Sequence, residues 1–238
     1  ELNGILESTK YRSNPSLSKP NLPGVLSYGS NQALSPLYNT SGLVGYWNFD
    51  NNVSDQSGNN NNGTWYGTST TRYVGGKVGS GAGTFNGTND YVQILNSSSL
   101  NPIDGVTISA WVDTSIQAMS AILYKNDSGK YLWLYDNWCN PGCSGSRLYL
   151  NDGITSFDNF STVLPVLNKW RLVVGAYDKT KSGIYSDGVL LISNLRTLNP
   201  IDIPYPFYIK PNGLIDDVRI YNRALSASEV QALYSATK

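Results

Sequence analysis

The chain has 238 residues, of which 17 are basic, 17 are acidic and none is histidine. The balanced charge argues against nucleic-acid binding. The missing histidine excludes Ser–His–Asp and Cys–His catalysis, HExxH metal sites and most transition-metal sites. Only 14% of residues are charged, and the polar residues are mainly Asn, Ser, Thr and Gly, with 17 Tyr. We expect such a surface on an extracellular protein.

Residues 1–41 differ in composition from the rest of the chain. The stretch NPSLSKPNLPG is rich in proline, which fixes φ and removes a backbone donor, so it is expected to be extended. The segment is interpreted either as a linker or as an arm that packs on its own domain or on a neighbour. The domain proper is expected at 42–238.

From Gly42 onward, short apolar runs alternate with turn signals. DQSGNNNNGTW is expected to be a loop, because it has no apolar face. Hairpin turns are expected at KTKSG and SDG. Strands are predicted, in chain order, in GLVGYWNFD, GTFNGTNDYVQIL (with an internal turn), VTISAWVDT, AILYKN, YLWLYDN, SRLYLND, RLVVGAYD, IYSDGVLLIS and GLIDDVRIY.

One helix is predicted, in LSASEVQALY. Ser226 would be its N-cap and Glu229 the third residue of a capping box, with Val230, Leu233 and Tyr234 on one face. Many short strands with a single short helix predict an all-β fold, an antiparallel sandwich of two sheets.

Two cysteines, Cys139 and Cys143, flank a Pro-Gly turn. This spacing favours a disulfide that closes a tight turn, the alternative being a redox or metal pair. Zinc would need two further ligands, and no other Cys or His exists to supply them.

Seven Asn-x-Ser/Thr sequons suggest a glycosylated surface protein if the host glycosylates. They lie at Asn39, Asn52, Asn62, Asn86, Asn96, Asn126 and Asn159. No signal peptide or transmembrane span is recognisable in the sequence. The chain starts at Glu1 rather than Met, which is compatible with earlier removal of a leader or of a membrane helix.

Six blocks, in order, resemble the laminin-G-like domains of the concanavalin A-like lectin/glucanase superfamily between about residues 42 and 234. They are GYWNFDNN, DQSGNNNNGT, FNGTNDYVQI, VTISAWV, KWRLVVGAYDKTKSGIYSDGVLL and the most specific one, NGLIDDVRIYNRALSASEVQALY. The resemblance implies a jelly-roll sandwich of two curved sheets. It implies less about function, because relatives serve as sugar-binding, adhesion and accessory domains. Arg171 and Leu172 stand where the family pattern usually has histidine, so these positions are not expected to bind metal.

The resemblance also implies one structural Ca²⁺ at the rim, held by hard oxygen ligands. The candidate ligands are Asp50, Asp55 and Asp216, and Asp90 is a weaker one. Asp216 shares the core-facing side of the last strand with Val218 and Ile220. Because an unpaired buried charge is costly, Asp216 needs a partner, either calcium or backbone amides.

Aromatic residues alternate with leucines in YLWLYDNW. If Leu132 and Leu134 face the core, the aromatic side chains lie on the outer surface, where sugar rings could stack on them. Two alternatives remain open: the aromatic rings fill the core, or they contact another protein. The candidate binding residues are Tyr131, Trp133, Tyr135, Trp138, Arg147 and Tyr149.

A pair of catalytic carboxylates is not apparent. The glutamates Glu1, Glu7 and Glu229 lie on no predicted strand. Asp216 and Asp217 are adjacent and are expected to point to opposite faces, and Asp152 and Asp158 are expected in a loop. No general acid and base can therefore be paired, and we do not expect an enzyme.

The sequence thus predicts an extracellular, non-catalytic binding or adhesion module whose partner is a carbohydrate or a surface protein. The alternative is a structural subunit of a filament or surface coat that self-assembles through the arm 1–41 by strand addition.

Overall fold

The computed structural model describes residues 40–101, 104–115, 120–127, 129–136, 145–195, 197–198 and 202–238. Apart from Thr40 and Ser41, the predicted arm lies outside the described residues. The predicted disulfide pair Cys139 and Cys143, the candidate binding residue Trp138 and the sequon at Asn39 also lie outside them.

The described residues form fifteen strands, one 3₁₀ turn at Ser98–Leu100 and one α-helix, α1, at Ala227–Thr237. In chain order the strands are β1 Leu43–Trp47, β2 Gly63–Tyr66, β3 Tyr73–Val74, β4 Ala82–Asn86, β5 Tyr91–Ile94, β6 Val106–Asp113, β7 Ser120–Asp127, β8 Lys130–Asp136, β9 Arg147–Asp152, β10 Ser156–Phe160, β11 Arg171–Tyr177, β12 Lys181–Ser186, β13 Val189–Leu195, β14 Phe207–Lys210 and β15 Asn212–Tyr221.

The strands form two antiparallel sheets. The first sheet has the order β13-β12-β11-β6-β15-β4-β3, with β1 also paired to β15. The second sheet has the order β10-β9-β8-β7-β14-β5-β2. Two antiparallel sheets and a C-terminal helix confirm the predicted jelly-roll sandwich.

The main core contains inward-facing apolar side chains from both sheets. They include Trp47, Ile108, Leu132, Leu148, Phe207 and Ile215. Burial of this apolar surface is the main driving force for joining the sheets. A second cluster contains Trp111, Leu172, Val174, Tyr221, Val230 and Leu233, so α1 covers the other face of the first sheet.

The start of α1 confirms the predicted capping box. The Ser226 side chain accepts from the Glu229 backbone N–H, and Glu229 accepts from the Ser226 N–H at 2.8 Å. Val230 and Leu233 are buried against the sheet. Thr237 in the last turn accepts a hydrogen bond from Trp111 Nε1 at 2.9 Å. Both faces of β6 are therefore buried, one against the second sheet and the other against the helix.

A regular strand would place Val44 and Trp47 on opposite faces of β1. Both lie in the main core instead, because the pairing register with β15 shifts between Leu43 and Gly45. A β-bulge of this kind puts side chains an odd number of residues apart on one face. A Cβ built on Gly45 would lie 2.4 Å from the Trp47 ring, so the bulge also uses a residue without a side chain.

Other strand predictions also need correction. The segment GTFNGTNDYVQIL is not one strand with an internal turn: β4 belongs to the first sheet and β5 to the second. The expected loop DQSGNNNNGTW ends in β2, and β3, β10 and β14 were not predicted. These strands are only two to five residues long, which is too short for a clear alternating pattern.

The two hairpin turns are confirmed. Between β12 and β13, Asp187 has φ 50° and Gly188 φ 82°, the positive pair that a tight two-residue hairpin requires. Between β11 and β12, the Asp178 carboxylate accepts from the backbone N–H groups of Thr180 and Lys181.

Candidate functional site

The aromatic side chains of Tyr131 and Trp133 lie on β8, on the face opposite the core. Leu132 and Leu134 are buried in the main core, while Tyr131 and Trp133 are half-buried on the other side of the strand. The ring centroid of Trp133 lies 4.6 Å from that of Tyr131 and 5.5 Å from that of Tyr135, both edge to face. Tyr135 is only 7% exposed, so it supports the Trp133 ring more than it offers a surface.

The neighbouring strand β9 extends this surface. Tyr149 pairs directly with Trp133 across the two strands, with ring centroids 5.3 Å apart. Arg147 lies over the Tyr149 ring at 5.1 Å and forms a two-point ion pair with Asp158 of β10, with both N–O distances 2.6 Å. The predicted residues on β8 and β9 therefore form one connected patch, with Asp158 added to it.

Sequence reasoning missed the continuation of this patch. Tyr124 of β7 pairs in register with Trp133, and Tyr208 of β14 pairs with Tyr124. Tyr91 and Tyr66 follow on β5 and β2, with ring centroids 5.1 Å apart. We call these six side chains, one on each of six adjacent strands, the aromatic row: Tyr66, Tyr91, Tyr208, Tyr124, Trp133 and Tyr149.

The signal for these additional tyrosines was present but weak. In β2, β5 and β14 each tyrosine alternates with a core residue, namely Trp65, Val92 and Phe207 with Ile209. Because the strands are short, alternation alone could not show that the three segments lie side by side.

Burial raises the pKa of two tyrosines on this sheet. It raises the pKa of Tyr135 to about 12 and also raises the pKa of Tyr124, to which Tyr208 and Tyr91 contribute. Protonated phenols both donate and accept hydrogen bonds. The Tyr208 hydroxyl, for example, accepts from Gln93 Nε2 at 3.3 Å.

The candidate calcium ligands are held by protein donors. Asp50 Oδ1 accepts from the backbone N–H groups of Ser80 and Gly81, at 2.5 and 2.8 Å. Asp55 accepts from the backbone of Tyr46, Ser57 and Asn61 at 2.8–2.9 Å. Both carboxylates therefore stabilise loops by accepting hydrogen bonds from backbone N–H groups.

Asp216 accepts hydrogen bonds from backbone amides, which were one of the two partners expected from the sequence, the other being calcium. Its Oδ2 accepts from the N–H groups of Lys77 and Val78, both at 2.8 Å, while its Oδ1 is buried with no hydrogen-bond partner. Burial raises the pKa of Asp216 to about 8. The part of the chain that the structure describes contains no group of three acidic or cysteine side chains that could hold a metal. Calcium at these residues therefore stays a prediction of the resemblance.

Asp90 also stabilises a loop through hydrogen bonds from backbone N–H groups. It is fully buried and accepts from the backbone N–H groups of Thr68, Ser69 and Asn86. Several hydrogen bonds to the ionised form lower its pKa despite its burial.

The carboxylates considered for catalysis are placed differently from expectation. Asp216 and Asp217 are both fully buried, because β15 is bulged there and Asp217 has φ 56°. Asp217 pairs with Arg219 at 2.5 Å. Asp152 ends β9 and Asp158 lies on β10, so neither is in a loop.

The sequons differ in accessibility. Asn52, Asn62, Asn86, Asn96 and Asn126 are exposed, and Asn126 lies on the same sheet as the aromatic row, directly opposite Tyr131. Asn159 is fully buried: its Nδ2 donates to Ser182 and its Oδ1 accepts from Asn194, both at 2.8 Å. In the folded protein the side chain of Asn159 is therefore enclosed, whereas those of the other five described sequons are exposed.

We predict that secreted, folded protein from a glycosylating host carries no glycan on Asn159, because the attachment atom is enclosed and hydrogen-bonded. Glycopeptide mapping checks this, with the exposed Asn86 and Asn96 as internal comparison sites. A substantial glycan occupancy on Asn159 in folded protein would contradict the placement of β10.

The chain belongs to the concanavalin A-like lectin/glucanases superfamily: the family model Laminin_G_3 matches residues 85–231, more than half of the chain. A search of curated protein sequences found no match.

Solved structures share the fold. Domain 4 of AbnA, a GH43 extracellular arabinanase from Geobacillus stearothermophilus solved with arabinotriose, matches with a TM-score of 0.69 and 21% identity, covering 82% of this chain and 98% of that domain. The binding domain of Paraclostridial Mosquitocidal Protein 1 matches with a TM-score of 0.68 and 21% identity, covering 81% of this chain and 52% of that one.

A third similar structure is the receptor binding domain of the botulinum neurotoxin C/D mosaic serotype, with a TM-score of 0.68 and 13% identity over 83% of this chain and 52% of that one. The chain thus spans about half the length of the toxin binding domains it matches. At these identities the likeness shows the fold. Within the described residues, no helix has the length and apolar character needed to cross a membrane.

Proposed function

We propose that this protein is an extracellular, non-catalytic binding module that recognises carbohydrate through the patch formed by Tyr131, Trp133 and Tyr149 with Arg147. The observation that carries the proposal is the position of these rings on the sheet face opposite the core, next to a charged pair that offers directional polar groups. Aromatic rings beside fixed polar groups are a common way to bind a sugar, because one face of a sugar ring is apolar and its rim is polar.

The similar structures support this proposal. One of them is a domain of an extracellular arabinanase solved with arabinotriose, and others are receptor-binding domains of toxins. Asp136, the last residue of β8, is held by Ser146 and Arg171, so the end of the strand is anchored from β11 of the first sheet. An anchored strand keeps the rings in place and reduces the entropy lost on binding.

The test is a glycan array with the full chain, run with calcium and with a chelator, followed by titration calorimetry on the best ligand. Trp133→Ala is expected to weaken binding at least about tenfold, since central aromatic side chains carry a large share of binding energy. Trp133→Phe is expected to retain part of it. Tyr205→Ala is the matched control, because Tyr205 is 48% exposed but belongs to no strand.

Circular dichroism establishes that each variant is folded. If folded Trp133→Ala binds as tightly as the wild type, the patch is not the site. If no glycan binds under either condition, the carbohydrate proposal is overturned, and contact with another protein becomes the better explanation of the half-buried rings on this outer face.

A further inference from the structure

The aromatic row is longer than the patch used above. It crosses β2, β5, β14, β7, β8 and β9 in spatial order, with one ring on each strand. Neighbouring strands lie about 4.8 Å apart, so six strands extend the row over about 24 Å. This is several times the size of a single sugar ring.

The rings of the tyrosine pairs are oriented differently from the rings around Trp133. Tyr66 and Tyr91 are stacked, with an interplanar angle of 14°, and Tyr124 and Tyr208 are stacked at 24°. Stacked rings on adjacent strands cover each other's faces, so the edges and hydroxyls remain for a ligand. Around Trp133 the rings meet edge to face or tilted instead.

The chemical character of the row follows from these side chains. Its hydroxyls are neutral hydrogen-bond donors and acceptors, and the outward positions next to them include Gln93 and Thr64. Three charged side chains lie on outward positions of the described strands of this sheet: Arg147 and Asp158, which neutralise each other, and Lys210. A surface with so little net charge favours a ligand that is rich in hydroxyls over one that is strongly anionic.

We propose that the aromatic row binds an extended chain of neutral sugars laid across the strands, with the Trp133 end holding one sugar by stacking and the tyrosines binding successive sugars through their hydroxyls. This inference rests on the proposed function and deepens it, because it assigns Tyr66, Tyr91, Tyr208 and Tyr124 to binding and names the ligand class as linear, uncharged polysaccharide. The strand spacing places one tyrosine under each successive sugar of an extended chain.

The experiment measures affinity as a function of chain length. Titration calorimetry is carried out with neutral arabino-, xylo- and manno-oligosaccharides from the disaccharide to the octasaccharide, and with a sulfated polysaccharide as the anionic comparison. Affinity for at least one neutral series is expected to rise at least about tenfold from disaccharide to hexasaccharide and then to level off, as the ligand reaches the end of the row.

Two variants locate the effect. Tyr66→Phe/Tyr91→Phe removes two hydroxyls at the far end of the row and keeps the stacked rings, so folding is preserved. It is expected to leave disaccharide affinity unchanged and to remove most of the gain from chain length, about tenfold for two lost hydrogen bonds. Tyr205→Phe, an exposed tyrosine outside the row, is the control.

The possible outcomes distinguish failure of the extended site from failure of the proposed carbohydrate binding at the Trp133 patch. If oligosaccharides bind with an affinity that is independent of length, or if the Tyr66→Phe/Tyr91→Phe variant matches the wild type for the longest ligand, the extended site is wrong and the patch around Trp133 stands. Tighter binding of the sulfated chain overturns the neutral ligand class. If no sugar binds, both the extended site and the proposed function fail.

Discussion

Replacing Asp136 with alanine is expected to lower the free energy of unfolding by about 3 kcal/mol. Asp136 ends β8 in the second sheet and is completely buried, and its partner Arg171, which begins β11 in the first sheet, is 8% exposed. Removal of the carboxylate leaves a buried guanidinium without its direct counter-charge. The nearby Asp187 still attracts Arg171, which keeps the loss from being larger.

Urea denaturation measures this effect, and Asp158→Asn serves as the matched control. Asp158 also pairs with an arginine on the second sheet, but its side chain is 39% exposed, so breaking that pair is expected to cost less than about 1 kcal/mol. In the double variant Asp136→Leu/Arg171→Met the buried charges are both removed, and most of the lost stability is expected to return. Equal losses in Asp136→Ala and Asp158→Asn would contradict the buried pair between the sheets.

The stability of the protein is expected to rise by about 2 kcal/mol between pH 8 and pH 10.5 because of Lys125. This side chain is 1% exposed, and its Nζ donates to Asn96 Oδ1 at 2.7 Å and to Asn101 Oδ1 at 2.6 Å. Burial lowers the pKa of Lys125 from 10.5 to about 8, while the Asp202 charge acts in the opposite direction.

The direction of this pH dependence follows from the number of protons bound by the folded and unfolded states. Between pH 8 and pH 10.5 the unfolded chain keeps its proton on Lys125 and the folded protein loses it, so the unfolded state binds more protons and the free energy of unfolding increases with pH. Below pH 8 both states are protonated and this contribution is constant. Tyr135 acts in the opposite direction above pH 10, because burial raises its pKa to about 12.

A difference measurement isolates the lysine. Lys125→Met keeps a long side chain over the Phe207 ring, whose centroid lies 4.9 Å from Nζ, but cannot titrate. The stability difference between wild type and Lys125→Met is expected to change across this pH range, whereas Lys181→Met, at an exposed position, is expected to follow the wild type. Parallel curves for wild type and Lys125→Met would show that the amine is not buried as described.

The ionisable groups that matter most for stability are separate from the proposed binding face. Asp136 and Arg171 join the sheets, and Lys125 points to the core side of β7, opposite to Tyr124. Binding by the aromatic row, which depends on neutral hydroxyls and rings, is therefore expected to vary less with pH than stability does.

Sequence reasoning succeeded where the signal was local. The capping box at Ser226 and Glu229 defined the start of the helix, and the positive φ that Asp187 and Gly188 can adopt defined a hairpin. The alternation of leucines and aromatic residues in β8 correctly separated its core face from its outer face, because side chains alternate along any regular strand.

What the sequence by itself determined was the class of fold, the helix and its cap, and the separation of leucines from aromatic residues on the two faces of β8. Only the tertiary structure decided the bulge that places Val44 and Trp47 on the same face of β1. It also decided that Asp50, Asp55 and Asp216 accept backbone hydrogen bonds, and that Asn159 is buried. It also decided the continuation of the aromatic row onto β2, β5, β7 and β14. The physical reason is that pairing between strands far apart in the chain depends on loop closure and core packing. Neither produces a recognisable hydrophobic periodicity in a segment of four or five residues.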